Sequence, residues 1–166
     1  MKISLSPLAL MRRAAFFLGA ATILTATAMA SNDQQPHHTV VPAEEIQWGA
    51  APPSLPAGAQ AAVLLGSPAK EGPFVLRLKF PSGFVVPPHR HSKDELVTVI
   101  SGGFGIASGE TLDREAAKPL PAGSFVHLPA GMPHFAIAAG ETVVQINGYG
   151  PFDVVYVDPS DDPRID

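Results

Sequence analysis

The 166-residue chain contains no cysteine. That absence excludes disulfide scaffolds, thiolate zinc sites, iron–sulfur clusters and cysteine nucleophiles together, so any metal must be held by nitrogen and oxygen. Charge is also scarce. Only 16% of residues are Asp, Glu, Lys or Arg against 46% hydrophobic, which excludes both a disordered acidic chain and a coiled coil. Long helical patterns are missing too. The 15 glycines and 18 prolines make up about a fifth of the chain, below the roughly 25–30% of low-complexity disorder but enough to cut it into short segments. No internal repeat occurs, and one domain of ordinary size accounts for the length.

The amino end reads as an export signal. Lys2, Arg12 and Arg13 form a basic start without acidic residues, Ala14 to Ala28 is an apolar run, and Ala28-Met29-Ala30 has the small-x-small pattern of a cleavage site. The run is several residues short of the ~20 needed to span a bilayer. Residues 1–30 are therefore expected to be removed, leaving a periplasmic or secreted protein that starts at Ser31 and has no membrane attachment. Arg12-Arg13 before Phe16-Phe17-Leu18 faintly resembles a twin-arginine signal with its phenylalanines one place late, so the export route stays open. The segment holds three of the 11 basic residues and none of the 15 acidic ones, which leaves −7 on the remainder. Such a surface repels phosphate backbones, so nucleic acid is not an expected partner.

Ser31 to about His38 is a polar tail, in which His37 and His38 are expected to have no role. Val40 to Trp48 reads as a first strand region with turns, and Trp48 as an anchor that packs this segment. The Gly49–Ala59 stretch is too rich in Pro and Gly for a helix. Short apolar or alternating runs follow: Ala61–Leu65, Phe74–Phe80, Phe84–Val86, Leu96–Ile100, Phe104–Ala107, Ser124–Leu128, Phe135–Ala138, Val143–Asn147 and Val154–Val157. Turn residues separate them, and Leu112–Ala117 is the one stretch expected to be helical. Many short strands without a helical layer predict an all-β sandwich or barrel. Residues 31–60 are expected to form the tail and first strand region, 61–158 the barrel, and 159–166 an acidic, solvated end with Asp158, Asp161, Asp162 and Asp166.

The chemistry sits in His89-Arg90-His91, just after Pro87-Pro88. Residues i and i+2 of a strand share a face, so both imidazoles project together and Arg90 points away. Glu95 opens the next apolar strand and can fold back across a tight turn. His134 lies well downstream, after Pro129-Ala130-Gly131-Met132-Pro133. Three imidazoles and a carboxylate form a nitrogen/oxygen set suited to one divalent first-row metal, among Fe, Mn, Ni, Zn and Cu. Without a cation, a buried carboxylate among imidazoles would cost several kcal/mol. If Glu95 faces inward, Val97 and Val99 should as well, as an apolar wall beside the metal. His127 is expected to be a packed or hydrogen-bonded strand residue. Gln145, Asn147 and Tyr149 share one strand face, lining either a pocket or solvent.

Gly83, His89, His91, Glu95 and Gly102 resemble the first conserved motif of the cupin superfamily at every fixed position, and Gly123, Pro129, Gly131 and His134 resemble the second up to its histidine. The intervening twenty residues suit the compact linker of bacterial single-domain cupins. The resemblance implies a single antiparallel β-barrel of jelly-roll type with one metal near its wide end, held by His89, His91, Glu95 and His134. It also implies a homodimer. One position departs: the asparagine often found four residues after the last histidine is Ala138 here.

Fold and metal do not choose a reaction, since one scaffold hosts many chemistries. One expectation is a metal-dependent enzyme, a dioxygenase or related, whose open coordination positions receive a small acid or enol. The other is a non-catalytic module that binds or senses a small ligand. A titratable residue in the pocket beyond the four ligands would favour catalysis; an otherwise apolar lining would favour binding.

Overall fold

Alternation of apolar and polar residues builds the longest strands. In the computed structural model, which describes residues 38–165, Phe74, Leu76, Leu78 and Phe80 of the Gly72–Phe80 strand are buried while the residues between them are less so. The expected signal segment, the tail through His37 and Asp166 lie outside the described residues. In chain order the strands are β1 (Gly49–Ala50), β2 (Gln60–Leu65), β3 (Gly72–Phe80), β4 (Val85–Arg90), β5 (Glu95–Ser101), β6 (Gly103–Ser108), β7 (Pro119–Pro121), β8 (Phe125–Leu128), β9 (His134–Ala138), β10 (Thr142–Gly150) and β11 (Val155–Tyr156). They form a six-stranded sheet, β1-β2-β3-β10-β5-β8, and a five-stranded sheet, β11-β4-β9-β6-β7. Every pairing is antiparallel.

One apolar core draws on both sheets, with Phe80, Val97 and Val144 from the first and Val86, Phe104 and Ala136 from the second. Phe80 links them: its ring stacks on Phe84 at 5.0 Å and on Phe104 at 5.8 Å between centroids. This two-sheet arrangement is the jelly-roll architecture expected from the sequence.

Strand β4 runs through Pro87-Pro88 rather than ending there. Its register against β9 shifts between Val86 and His89, so Val86 opposes Ala136 while His89, three residues on, opposes His134, two residues back. This bulge takes up one extra residue. It changes the parity of the strand, so that Val86 and His89 both face inward.

Two local expectations need correction. Leu112–Ala117 is not a helix. A turn forms over residues 114–116, where the Asp113 carboxylate accepts from the backbone N–H groups of Glu115 and Ala116, and Pro119 then stops any continuation. Val40–Trp48 holds a 3-10 turn at Ala43–Glu45, and pairing begins only at Gly49. Trp48 takes the Lys79 ammonium 4.5 Å from its ring centre, which anchors this segment to β3. At the acidic end, Asp158 and Asp161 are exposed. Asp158 caps the Pro159–Asp161 turn, and Arg164 joins Asp162 to the carbonyl of Val154.

Candidate metal centre

Three buried histidines meet where the two sheets converge. His89 closes β4, His91 follows it, and His134 opens β9 opposite His89. One ring nitrogen from each lies within 4.8 Å of the others, a group that can hold a metal ion. Arg90 turns the other way, toward Glu110 at 3.8 Å. Glu95, the first residue of β5, brings its Oε2 to 3.2 Å from Nε2 of His91 and 3.4 Å from Nε2 of His134.

The other nitrogen of each ring is already engaged. Nδ1 of His89 donates to the carbonyl of Pro87 at 2.7 Å, Nδ1 of His134 to that of Met132 at 3.0 Å, and Nδ1 of His91 to that of Asp153. A carbonyl only accepts, so each Nδ1 carries the proton and each Nε2 of a neutral ring presents a lone pair. Backbone carbonyls holding histidines in this tautomer are the usual support of a metal-ligating imidazole.

Nε2 of His91 is buried without a hydrogen bond, although the Glu95 carboxylate is near. Two acceptors thus face one another at 3.2 Å. Only a proton or a cation between them relieves that contact, and the residues present fit a divalent cation.

Protonation follows from the same crowding. Burial, with His134 and His91 beside it, holds the His89 imidazole down at about 3. Burial would push the Glu95 carboxyl up, but hydrogen bonding and charge from His134 and His91 outweigh it and hold it at about 2. Burial lowers His91, yet the Glu95 carboxylate and the Asp153 carbonyl prevail and raise it. In metal-free protein, the unfolded chain protonates His89 near 6.5 while the folded chain waits until about 3. Stability should therefore be lost as pH falls through this window. Glu95 adds to the loss below 4.5. The His91 contribution changes only above 6.5, because its folded value lies higher. Urea midpoints of chelator-treated protein should drop by about 2–3 kcal/mol equivalent between pH 6.5 and 4.5. His89→Gln should flatten that slope, and an equal slope in the variant would refute the assignment.

Two outer contacts could not have been found from the motif. The Phe152 ring stacks on His91 with centroids 4.3 Å apart and planes 20° apart. Asp153 supplies the carbonyl to His91, and its carboxylate accepts from the N–H and hydroxyl of Ser92 at 2.7 and 2.8 Å. Both lie some sixty residues from their partners, and nothing local in the sequence marks them. The turn before His134 is fastened as well. Gly131, at φ 78°, donates its N–H to the carbonyl of His91 at 2.8 Å, a backbone conformation that side chains disfavour. Asp94 accepts from the N–H of Ala130 at 2.9 Å.

A cavity of about 220 Å³ opens beside the four residues, walled by Leu76, Leu78, Val97, Ile106 and Ile146 and rimmed by Leu55, Pro68, Phe152 and Val154. Val97 faces it as expected. Val99 is buried in the core but does not line it. His127 is on the outer surface, paired with Asp94 at 3.1 Å. Gln145, Asn147 and Tyr149 also lie on the outer face of their sheet, where Gln145 accepts from Arg77 at 3.1 Å. His38 is exposed. Among the described residues, His89, His91, Glu95 and His134 are the titratable side chains lining the cavity.

Solved structures share this fold. The polyketide cyclase RemF of Streptomyces resistomycificus is 17% identical, with a TM-score of 0.59 over 76% of this chain and 90% of its own. A candidate acetylacetone dioxygenase of Methylibium petroleiphilum is also 17% identical, with a TM-score of 0.59 over 78% of this chain and 87% of its own. An RmlC-like cupin of Shewanella frigidimarina is 16% identical, with a TM-score of 0.53 over 70% and 93%. At such identity the likeness establishes architecture alone. No curated protein matches the sequence. A family described as a domain of unknown function, DUF4437, matches residues 39–162, and the chain, with its jelly-roll fold of cupin type, belongs to that family.

Proposed function

We propose that this is an exported metal protein whose single divalent ion is held by His89, His91, Glu95 and His134, and that it acts on a small acid or enol admitted to the adjoining cavity. The observation that carries this reading is the commitment of all three Nδ1 atoms to backbone carbonyls, which leaves three Nε2 lone pairs converging beside a carboxylate. The ion would supply Lewis-acid or redox chemistry at coordination positions that the protein leaves open. The chain's own part is to fix the imidazoles, to balance charge through Glu95, and to keep water away with the apolar walls.

A second reading is a module that binds or senses a ligand without transforming it. The apolar lining favours it, because no side chain beyond the four offers acid–base help among the described residues. Protein isolated from the cell envelope separates the readings. It should begin at Ser31 and carry about one transition-metal ion per chain. Turnover on a panel of small acids and enols should vanish in chelator and return with one metal in preference to others. A chain still beginning at Met1 would reject export, and tight binding without turnover on any substrate would establish the module.

A further inference from the structure

The cavity wall facing the four ligands carries information about the body of the ligand. We infer that the chamber takes a molecule with one oxygen-bearing head and an apolar body, about nine non-hydrogen atoms in all, and rejects dicarboxylates and sugars. The head rests on the metal reading above; the body does not.

Beyond the four candidate ligands, Ser54 is the one polar residue among those described lining the chamber. Its carbonyl is already occupied by the Tyr156 hydroxyl at 2.8 Å. No lysine or arginine reaches the lining. A second carboxylate at the far end would be stripped of water against Leu78, Phe104 and Ile146 with nothing to neutralise it. Each unpaired sugar hydroxyl would cost about five- to 150-fold in affinity. Polarity therefore belongs at one end of the ligand only.

Size follows from volume. A protein cavity of ~150 Å³ takes up benzene. By that proportion, the 220 Å³ chamber suits about nine non-hydrogen atoms. Among 2-oxo monocarboxylates, this is the size of 2-oxohexanoate.

The test uses full-length protein loaded with Co(II), titrated with a ladder of 2-oxo acids from pyruvate to 2-oxodecanoate. Perturbation of the cobalt spectrum and calorimetry report binding. Affinity should rise about fourfold per added methylene up to near 2-oxohexanoate and then stop rising. 2-Oxoadipate, the same length with a second carboxylate, should bind at least about 100-fold more weakly. Val97→Phe should move the break to shorter acids with cobalt content unchanged. A flat ladder, or 2-oxoadipate and glucuronate binding as well as 2-oxohexanoate, would overturn the inference. Metal-free protein keeps the two questions apart. There, a ladder of 1-alkanols read by thermal shift should show the same rise and break, and Val97→Phe should shorten it. If cobalt does not bind while the alkanol ladder holds, the metal reading fails and the chamber inference stands. If cobalt binds while neither ladder shows length dependence, the chamber inference fails alone.

Discussion

His134→Ala should leave the protein with less than about a tenth of its metal and lower its melting temperature by about 10 °C. The loss of metal follows from position. His134 is 2% exposed, sits across from His89, and has Nε2 3.4 Å from the Glu95 carboxylate. Alanine removes one of three converging nitrogens and frees the carbonyl of Met132. The loss of stability follows from mass action, since a ligand bound only to the folded state at 100 to 1,000 times its dissociation constant contributes about 3–4 kcal/mol, or about 10 °C for a domain of this size. Elemental analysis and calorimetry check both. His38→Ala, at an exposed position, should change neither. Full metal content in a His89→Ala/His134→Ala double variant would reject the site.

Phe74→Ala should destabilise the fold by about 3–5 kcal/mol, a large share of a typical total of ~5–15 kcal/mol. Phe74 is 1% exposed in β3. Its ring packs so closely on Gly148 of β10 that a Cβ there would come within 2.8 Å of it. Any other residue at 148 would have to push the ring aside, and truncating the ring leaves a void that glycine cannot fill. Phe74 also supports Phe152, at 5.3 Å between centroids, and Phe152 stacks on His91. Metal affinity should therefore fall along with the urea midpoint, while the denaturant slope stays unchanged. A cost below about 1 kcal/mol would show that the core closes over the gap.

The strands of the core were legible because alternation is a local signal. Leu76, Leu78 and Phe80 announce their inward face within a few residues. The histidine pair was legible for the same reason, but the bulge that turns it inward was not. It depends on how β9 lies against Pro87 and Pro88, and no residue pattern in β4 records that register. Strands β1 and β7 escaped notice since one is Gly-Ala and the other Pro-Leu-Pro. Their partners hold them, and their own propensities do not. Asp113 explains the false helix: its side chain takes the N–H groups that a first helical turn would leave free, yet Lys118-Pro119 allows no second turn. Val99 obeys the alternation but lies deeper than the chamber floor. Period two fixes a face and leaves depth undetermined. The rim at Leu55, Pro68 and Phe152 gathers three distant connections, which only the finished fold brings together.

The hydrogen bond from His91 to the Asp153 carbonyl spans 62 residues. It imposes an order on biosynthesis. A growing chain displays both motif histidines, Glu95 and His134 well before it contains Asp153, and until then the His91 ring is free to hold its proton on either nitrogen. Outer partners of this kind commonly change metal affinity by about 10–100-fold. A chain that lacks Asp153 would thus hold an ion at these histidines less firmly. Under the metal reading proposed above, full affinity would wait until residue 153 is made and its carbonyl is docked on His91.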